Sequence, residues 1–326
     1  KDVVLKVLER FGTHGNAGWA FEYGGPGLAS LDVPARATIA NMGAETGVTT
    51  SVFPSDRLTR SFLRAQGRDG DWRPLAADRG ARYDDVFELD LSALEPLAAC
   101  PHSPGNIATV ASLAGRKVDQ VLIGSCTNSS YRDLKTAALL LRGRRVHPEV
   151  SAGMAPGSRQ AMRMLAREGL LEHFIAAGFR IFESACGFCI GNSVAPQSNG
   201  VSLRTSNRNF EGRSGTPSAQ VYLVSPETAV AAALAGRIAD PRSPGGVPVV
   251  RQPRSFIVDD SLFLFRETAG RGVPEAPVVR GPNIGPPPRG TPLPARLDAV
   301  VAIKVGDRIT TDHIMPAGAK ILPLRS

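Results

Sequence analysis

The 326 residues suffice for two domains and part of a third at roughly 150 residues per domain, which excludes a peptide hormone or a minimal binding motif. With 42% hydrophobic and 21% charged residues, 34 Gly and 26 Pro, the usage is that of a folded, turn-rich chain, and no stretch approaches the roughly 18 apolar residues of a membrane span. The formal charge of +8 comes from 32 Arg and 6 Lys scattered along the chain, a pattern of solvated surface with some excess for anionic substrates, and it argues against a nucleic-acid partner.

The chain opens at Lys1, and Asp2 to Phe11 is an amphipathic helix with Val3, Val4, Val7, Leu8 and Phe11 on one face. Nothing there resembles a signal peptide, and both ends read as truncations of a longer protein. Residues 1–100 alternate apolar stretches with Gly-rich turns, with a helical stretch from Pro34 to Met42, and read as a mixed α/β domain. From Val118 the alternation becomes regular. A strand Val118 to Ile123, a helix Tyr131 to Arg142, a strand near Val150 and a helix Ser158 to Glu168 are followed by strands Phe179 to Phe182 and Gln220 to Val224. A last helix opens at Ser225-Pro226-Glu227 and closes at Gly236, with Ser as N-cap, Pro at the first helical position and Gly past the end. Residues 101–240 therefore read as a second α/β domain with a doubly wound, parallel sheet. Residues 241–296 carry 12 Pro and 7 Gly, the composition of a stiff linker with one hydrophobic island, Ser255 to Phe265. Leu297 to Val305 is expected to be a fresh strand, so that 297–326 reads as the start of a further domain.

The chemistry lies in a few stretches. Cys186-Gly187-Phe188-Cys189 follows a predicted strand, and its C-x-x-C spacing aims two thiolates at one metal or cluster. Half a zinc site, a redox pair or two ordinary buried cysteines are the rival readings. Cys126, in Gly124-Ser125-Cys126-Thr127-Asn128-Ser129-Ser130, lies between the end of a predicted strand and a helix N-terminus, a place that favours anionic ligands. Ligands gather at the carboxyl ends of parallel strands, so Cys126, Cys186 and Cys189 can share one crevice. Three thiolates suit a cubane iron-sulfur cluster that keeps one iron open as a Lewis acid, whereas Cys100 as a fourth ligand would make a closed zinc site. Four cysteines are too few and too unevenly placed for a secreted disulfide framework, and a reducing, cytoplasmic setting is expected. Arg208 and Arg213, in Ser206-Asn207-Arg208-Asn209-Phe210-Glu211-Gly212-Arg213, suit bidentate carboxylate recognition or a solvated surface loop. Asn41 and Glu45 could bring an amide and a carboxylate to the same crevice. Asp312-His313 reads as an acid/base pair or as a capped turn.

Together these motifs resemble the aconitase family of hydro-lyases. The likeness rests on Ala37 to Glu45, Thr49 to Pro54, Gly124 to Ser130, Ala185 to Gly191, Asn207 to Phe210 and Ile309 to Ile314, and covers nearly the whole chain. It implies that residues 1–100 and 101–240 are the family's second and third domains and that 297–326 begins its swivelling fourth. It further implies that Cys126, Cys186 and Cys189 ligate a 4Fe-4S cluster, that Asn41, Glu45 and Asn207 line the site, and that Arg208, Arg213 and Arg325 bind substrate carboxylates. Glu45, Asp312 and His313 would serve acid/base chemistry, and the proton-abstracting serine would lie outside these residues. The expected reaction is interconversion of citrate and isocitrate through cis-aconitate, as in the tricarboxylic acid cycle, with homoaconitase or isopropylmalate dehydratase chemistry as the second reading and a cluster-free RNA-binding relative as a third. The implied partner is a small di- or tricarboxylate, with the full-length protein a monomer and this portion inactive alone. Phe188 stands where the family usually has Pro, and Asn192 where many members have Gln or Met; the sulfur spacing is kept, so ligation is expected to survive.

Overall fold

The structure, a computed structural model, describes residues 1–242, 246–263, 279–307, 309 and 311–314. Lys1–Val258 forms one compact unit, and the described residues of Asp259–Ile314 belong to a second.

In the first unit, α1 (Asp2–Phe11) buries Val4, Leu5, Val7 and Leu8, the face that its apolar spacing sets apart. A short strand β1 (Ala20–Glu22) precedes α2 (Val33–Gly43), whose N-cap Asp32 accepts from the Ala35 N–H with Pro34 in the first turn. β2 (Thr50–Val52) pairs in parallel with β1. α3 (Arg57–Ala65) is capped by Asp56, which accepts from the Leu58 and Thr59 N–H groups. The same carboxylate takes a 2.6 Å bond from Arg36, a buried arginine that also donates to the carbonyls of Leu28, Leu31 and Pro54, so one guanidinium ties α2 to the start of α3.

The main sheet has seven strands: β3 (Leu97–Ala99), β4 (Ile107–Thr109), β5 (Gln120–Ile123), β6 (Ser151–Met154), β7 (Arg180–Ile181), β8 (Val201–Arg204) and β9 (Gln220–Leu223). Their spatial order is β4-β3-β9-β8-β5-β6-β7. β9, β8, β5, β6 and β7 run parallel, and β3 is antiparallel to both β9 and β4. The architecture is α/β, as expected. The expected boundary at residue 100 falls at the end of β3, inside this sheet.

Between the strands run α4 (Tyr131–Leu141), α5 (Arg159–Arg167), α6 (Leu170–Ala177) and α7 (Pro226–Ala235). Ser130 and Asp133 close a capping box on α4, and Ser225, Pro226 and Gly236 bound α7 as their chemistry dictates. Strand alternation decides the core. Val121 and Ile123 join the large cluster with Leu134, Ala137, Phe174 and Val230, whereas Leu122, on the other face, packs with Ala155 and Phe188. On the sheet's antiparallel side, Leu97, Ala99 and Leu223 pack with Leu5, Leu8, Ile39 and Met42 of α1 and α2.

The start of the hydrophobic island, Phe256 and Ile257, packs within this unit. Phe256 N–H donates to the Ala65 carbonyl at 2.8 Å, its ring meets Phe62 edge-on at 5.5 Å, and Gln160 Nε2 donates to the Ile257 carbonyl at 2.8 Å. In the second unit, the strand expected from Leu297 to Val305 does not form: these residues lack regular structure, and Val300, Val301 and Ile303 are exposed. A β-branched run becomes a strand only where a neighbour takes its backbone N–H and C=O groups, and no strand pairs with it among the described residues.

Candidate active site

Because β5 to β9 run parallel, the loops leaving their carboxyl ends share one edge of the sheet. After β5, the chain turns at Gly124 (φ 140°) and at Ser125, a non-glycine residue held at φ 70°. Only glycine fits at 124, since a Cβ there would come within 2.3 Å of the Ala155 carbonyl oxygen. The turn is pinned from two sides. Thr205 Oγ1, just past β8, accepts from the Gly124 N–H at 2.8 Å and donates to its carbonyl at 3.0 Å, while Thr38 of α2 donates to the Thr127 carbonyl at 2.9 Å. These bonds present Cys126 at the surface. The Asn41 carboxamide straddles the position: its Nδ2 lies 3.6 Å from Cys126 Sγ, and its Oδ1 accepts from Thr127 Oγ1 at 2.9 Å.

Beyond β7, Cys186-Gly187-Phe188-Cys189 enters a 3-10 turn, Phe188–Ile190, closed by Gly191 at φ 78°. Phe188 does not loosen the turn, because its ring is buried against Leu122 and Ala155, with Phe182 and Val194 alongside. Burial thus fixes what a proline ring would have fixed by covalent geometry. Cys186 is exposed and Cys189 buried. Burial pushes the Cys189 thiol up, opposed by the Arg213 guanidinium, which hydrogen-bonds it, and by Arg204; the Cys126 sulfur is near enough to raise it further.

Glu45 lies in the 3-10 turn that follows α2 and is buried. It accepts from Asn207 Nδ2 at 2.9 Å and from Arg208 Nε at 2.8 and 3.0 Å. The Asn207-Arg208 loop after β8 is therefore fixed by a carboxylate from the turn that follows α2. Asn209 anchors it from beneath, donating to the carbonyls of Cys100 and Val221 at 2.8 and 3.0 Å.

Two basic residues that the sequence did not single out complete the surroundings. Lys1 places its enclosed Nζ 3.0 and 2.9 Å from the carbonyls of Thr205 and Ser206, and burial lowers its pKa to about 7 against the pull of Asp133, Asp2, Cys126 and Cys189. Arg204, the last residue of β8, is wholly buried beneath the C-x-x-C turn. Neither has a sequence signature, since a basic residue opening a helix or ending a strand is ordinarily solvated.

The structure thus brings Asn41, Glu45, Cys126, Cys189, Asn207, Arg208 and Arg213 to one edge through the bonds and charge couplings above, while Cys186 is placed there only by opening the turn that carries Cys189. Asp312 and His313 fall in a short helix, Thr311–Ile314, of the second unit, where His313 is exposed. Arg325 lies outside the described residues. Cys100 stands apart: its thiol, raised by burial and lowered by Arg116, neighbours Tyr222. Among the described residues no three His, Cys, Asp or Glu side chains converge tightly enough for a single metal ion, the spacing a closed zinc site requires. Thiolates serving separate corners of a cubane need no such convergence, and a donor set in which Lys1 acts on Cys126 and Cys189 and Arg204 and Arg213 act on Cys189 fits an anionic, sulfur-ligated cluster. All four cysteines are free thiols, and no helix is long and apolar enough to cross a membrane among the described residues.

The sequence profile described as Aconitase family (aconitate hydratase) matches residues 1–116 and 108–236. The chain belongs to the aconitase family. Within the family, it is 41% identical over 250 residues to 3-isopropylmalate dehydratase large subunit 2 of Rubrobacter xylanophilus, a match covering 76% of this chain and 59% of that protein. It is 40% identical over 243 residues to large subunit 2 of the same enzyme from Archaeoglobus fulgidus, covering 74% and 58%, and 38% identical over 245 residues to large subunit 1 from Thermotoga maritima, covering 74% and 59%. The matches thus span about three fifths of the length of these relatives. The expected citrate–isocitrate reaction is corrected by these relatives, which are isopropylmalate dehydratases. The motifs that carried the resemblance were assigned to a cluster and to carboxylates shared across the family, and none was assigned to the substrate's side chain. The expected monomer likewise finds no support in proteins that are large subunits.

Proposed function

We propose that this chain is the cluster-bearing part of a hydro-lyase of the isopropylmalate dehydratase type, acting on a hydroxy-dicarboxylate with a partner subunit that completes the site. The observation that carries the reading is the arrangement at one sheet edge of Cys126 against Asn41 and of Glu45 against Asn207 and Arg208. Cys126, Cys186 and Cys189 would hold a 4Fe-4S cluster, which when bound supplies an iron with an open position that polarises a substrate hydroxyl and carboxylate.

The remaining roles belong to this chain's own side chains. Asn41 orients the Cys126 sulfur through its Nδ2 and locks that orientation through Thr127. Glu45 serves proton transfer while holding Asn207 and Arg208 in place. Arg208 and Arg213 bind substrate carboxylates, for which a planar guanidinium is the better cation. Asp312, His313 and Arg325 take acid/base and carboxylate-binding roles in the same reading. Four free thiols fit a cytoplasmic, reducing setting.

The test is anaerobic reconstitution of the complete polypeptide with iron and sulfide, followed by assay with 3-isopropylmalate and with citrate in the presence of the small subunit. Turnover of 3-isopropylmalate, abolished by Cys126→Ser together with acid-labile sulfide, is the expected result. A loaded protein that turns over neither substrate, or one that prefers citrate, sinks it.

A further inference from the structure

Arg204 is the largest fully buried side chain of the unit, and its charge has no carboxylate partner among the described residues. Its three hydrogen bonds all go to neutral acceptors: Nε donates to Ser202 Oγ at 3.0 Å, Nη2 to Gln120 Oε1 at 2.9 Å, and Nη1 to the Phe188 carbonyl. Gln120 is itself oriented for this, since its Oε1 also accepts from Ser202 at 2.8 Å and its Nε2 donates to the Ala195 carbonyl at 3.1 Å. Such a cation is costly: water is gone, and three neutral acceptors do not replace a counter-ion. The cost shows in the guanidinium, which burial lowers to about 10, leaving it still charged at neutral pH, and the one group that opposes the shift is Cys189, in the turn that Arg204 grips.

The arrangement has a purpose if the missing counter-charge arrives with a ligand. Three thiolates around an iron-sulfur core leave the assembly net negative, and hydrogen bonds and charge behind the sulfurs are among the levers that set its potential. Arg204 grips the carbonyl of Phe188, the residue before Cys189, so it reaches the turn by both charge and hydrogen bond.

We infer that Arg204 is a positioning residue that serves as the buried counter-charge of the Cys126, Cys186 and Cys189 thiolate set, clamping the C-x-x-C turn and offsetting the negative charge of the loaded cluster. This rests on the proposed cluster site. It makes a prediction opposite to that for a structural arginine: the residue is a burden on the empty protein and an asset to the loaded one.

The experiment compares wild type, Arg204→Met and Arg204→Lys, each cluster-free and each reconstituted anaerobically with iron and sulfide, by thermal unfolding and by redox titration of the cluster. Cluster-free Arg204→Met is expected to melt at or above wild type, because an apolar side chain of similar length replaces an unpaired buried charge. Loading should raise its melting temperature by less than half the wild-type increment. At the potential where wild type is half reduced, the ratio of reduced to oxidised cluster should fall at least tenfold in Arg204→Met, about 59 mV for one electron, and stay within threefold in Arg204→Lys. Equal loss of stability in both forms, failure of cluster-free Arg204→Met to fold, or an unchanged potential overturns the inference and makes Arg204 structural. Wild type that takes up neither iron nor sulfide overturns the cluster reading itself, and this inference with it.

Discussion

Glu45 and Arg208, 163 positions apart, meet through two contacts from a single nitrogen, Arg208 Nε to both carboxylate oxygens at 2.8 and 3.0 Å. The carboxylate belongs to the 3-10 turn after α2 and the guanidinium to the loop after β8, so the pair fixes the two segments in register. Its carboxylate side is buried, while Arg208 keeps about a third of its side chain in solvent.

Glu45→Gln is expected to lower stability by about 1–2 kcal/mol, below the full cost of breaking a buried pair because Arg208 remains partly hydrated. A urea midpoint checks this. In the complete enzyme, loss of a proton-transfer group should lower turnover by about 100-fold or more, with the cluster content unchanged. Wild-type turnover would return Glu45 to a purely structural role.

The turn that carries Cys126 should be intolerant of any side chain at 124. In Gly124→Ala the new Cβ meets the Ala155 carbonyl oxygen at 2.3 Å, and in Gly191→Ala it meets the Ser214 carbonyl oxygen at 2.2 Å. Both sites have positive φ and backbone neighbours that cannot swing away, so about 2–4 kcal/mol of destabilisation is expected at each. Gly115→Ala, with positive φ but open space around it, is the control and should cost about 1 kcal/mol. Equal effects at all three positions would show that contact with the neighbouring carbonyls does not matter.

Lys1 links stability to pH. Its ammonium titrates near 7 in the folded chain and 10.5 when unfolded, so between these values the unfolded state binds the extra proton. Stability contributed by this group therefore rises with pH across that window, with a slope approaching about 1.4 kcal/mol per pH unit. Below pH 7 the cost of the buried charge is fully present. The difference between wild type and Lys1→Met, both cluster-free, should accordingly move in favour of wild type from pH 7 to 8.5. A pH-independent difference would mean that the ammonium is not enclosed as described.

Phe256 anchors the segment around Ile257 to α3, and Phe256→Ala should cost about 2 kcal/mol, less than a fully buried aromatic, since the ring is only half-buried. Faster hydrogen exchange confined to the ends of α3 and α5 near Ala65 and Gln160 is the expected signature. Unchanged exchange there would mean that Phe256 and Ile257 do not brace them.

The parts of this fold that could be read in advance are those whose signal is local. The periodicity of Val3 to Phe11, the Ser225, Pro226 and Gly236 caps and the strand before Cys126 all act within a few residues, and the helices and strand formed where they indicated. β8 escaped notice because Val201–Arg204 ends in a charge, and β3 because three residues carry no pattern. Leu297 to Val305 erred the other way, with strand composition and no partner. At the site, cysteine spacing and the Asn41, Glu45 and Asn207 stretches were legible. Lys1 and Arg204 were not, because what sets them apart is the carbonyls they meet across the fold, which appear only once the sheet has formed.

The five parallel strands have a second rim. At their amino ends a cleft lies among Asp119, Glu149, Ser151, Arg180 and Gln197, and it includes none of the residues discussed as ligands or acid/base groups. The side chains there are polar, and Lys117 and Glu149 bridge at 3.4 Å with more than half of each in solvent. This rim offers a place for handles. A fluorophore, a short epitope or a surface tether attached at Lys117 or Glu149 would report on or immobilise the protein from the side facing away from its sulfurs. Oxygen-sensitive chemistry could then be followed on single tethered molecules with the working edge left open.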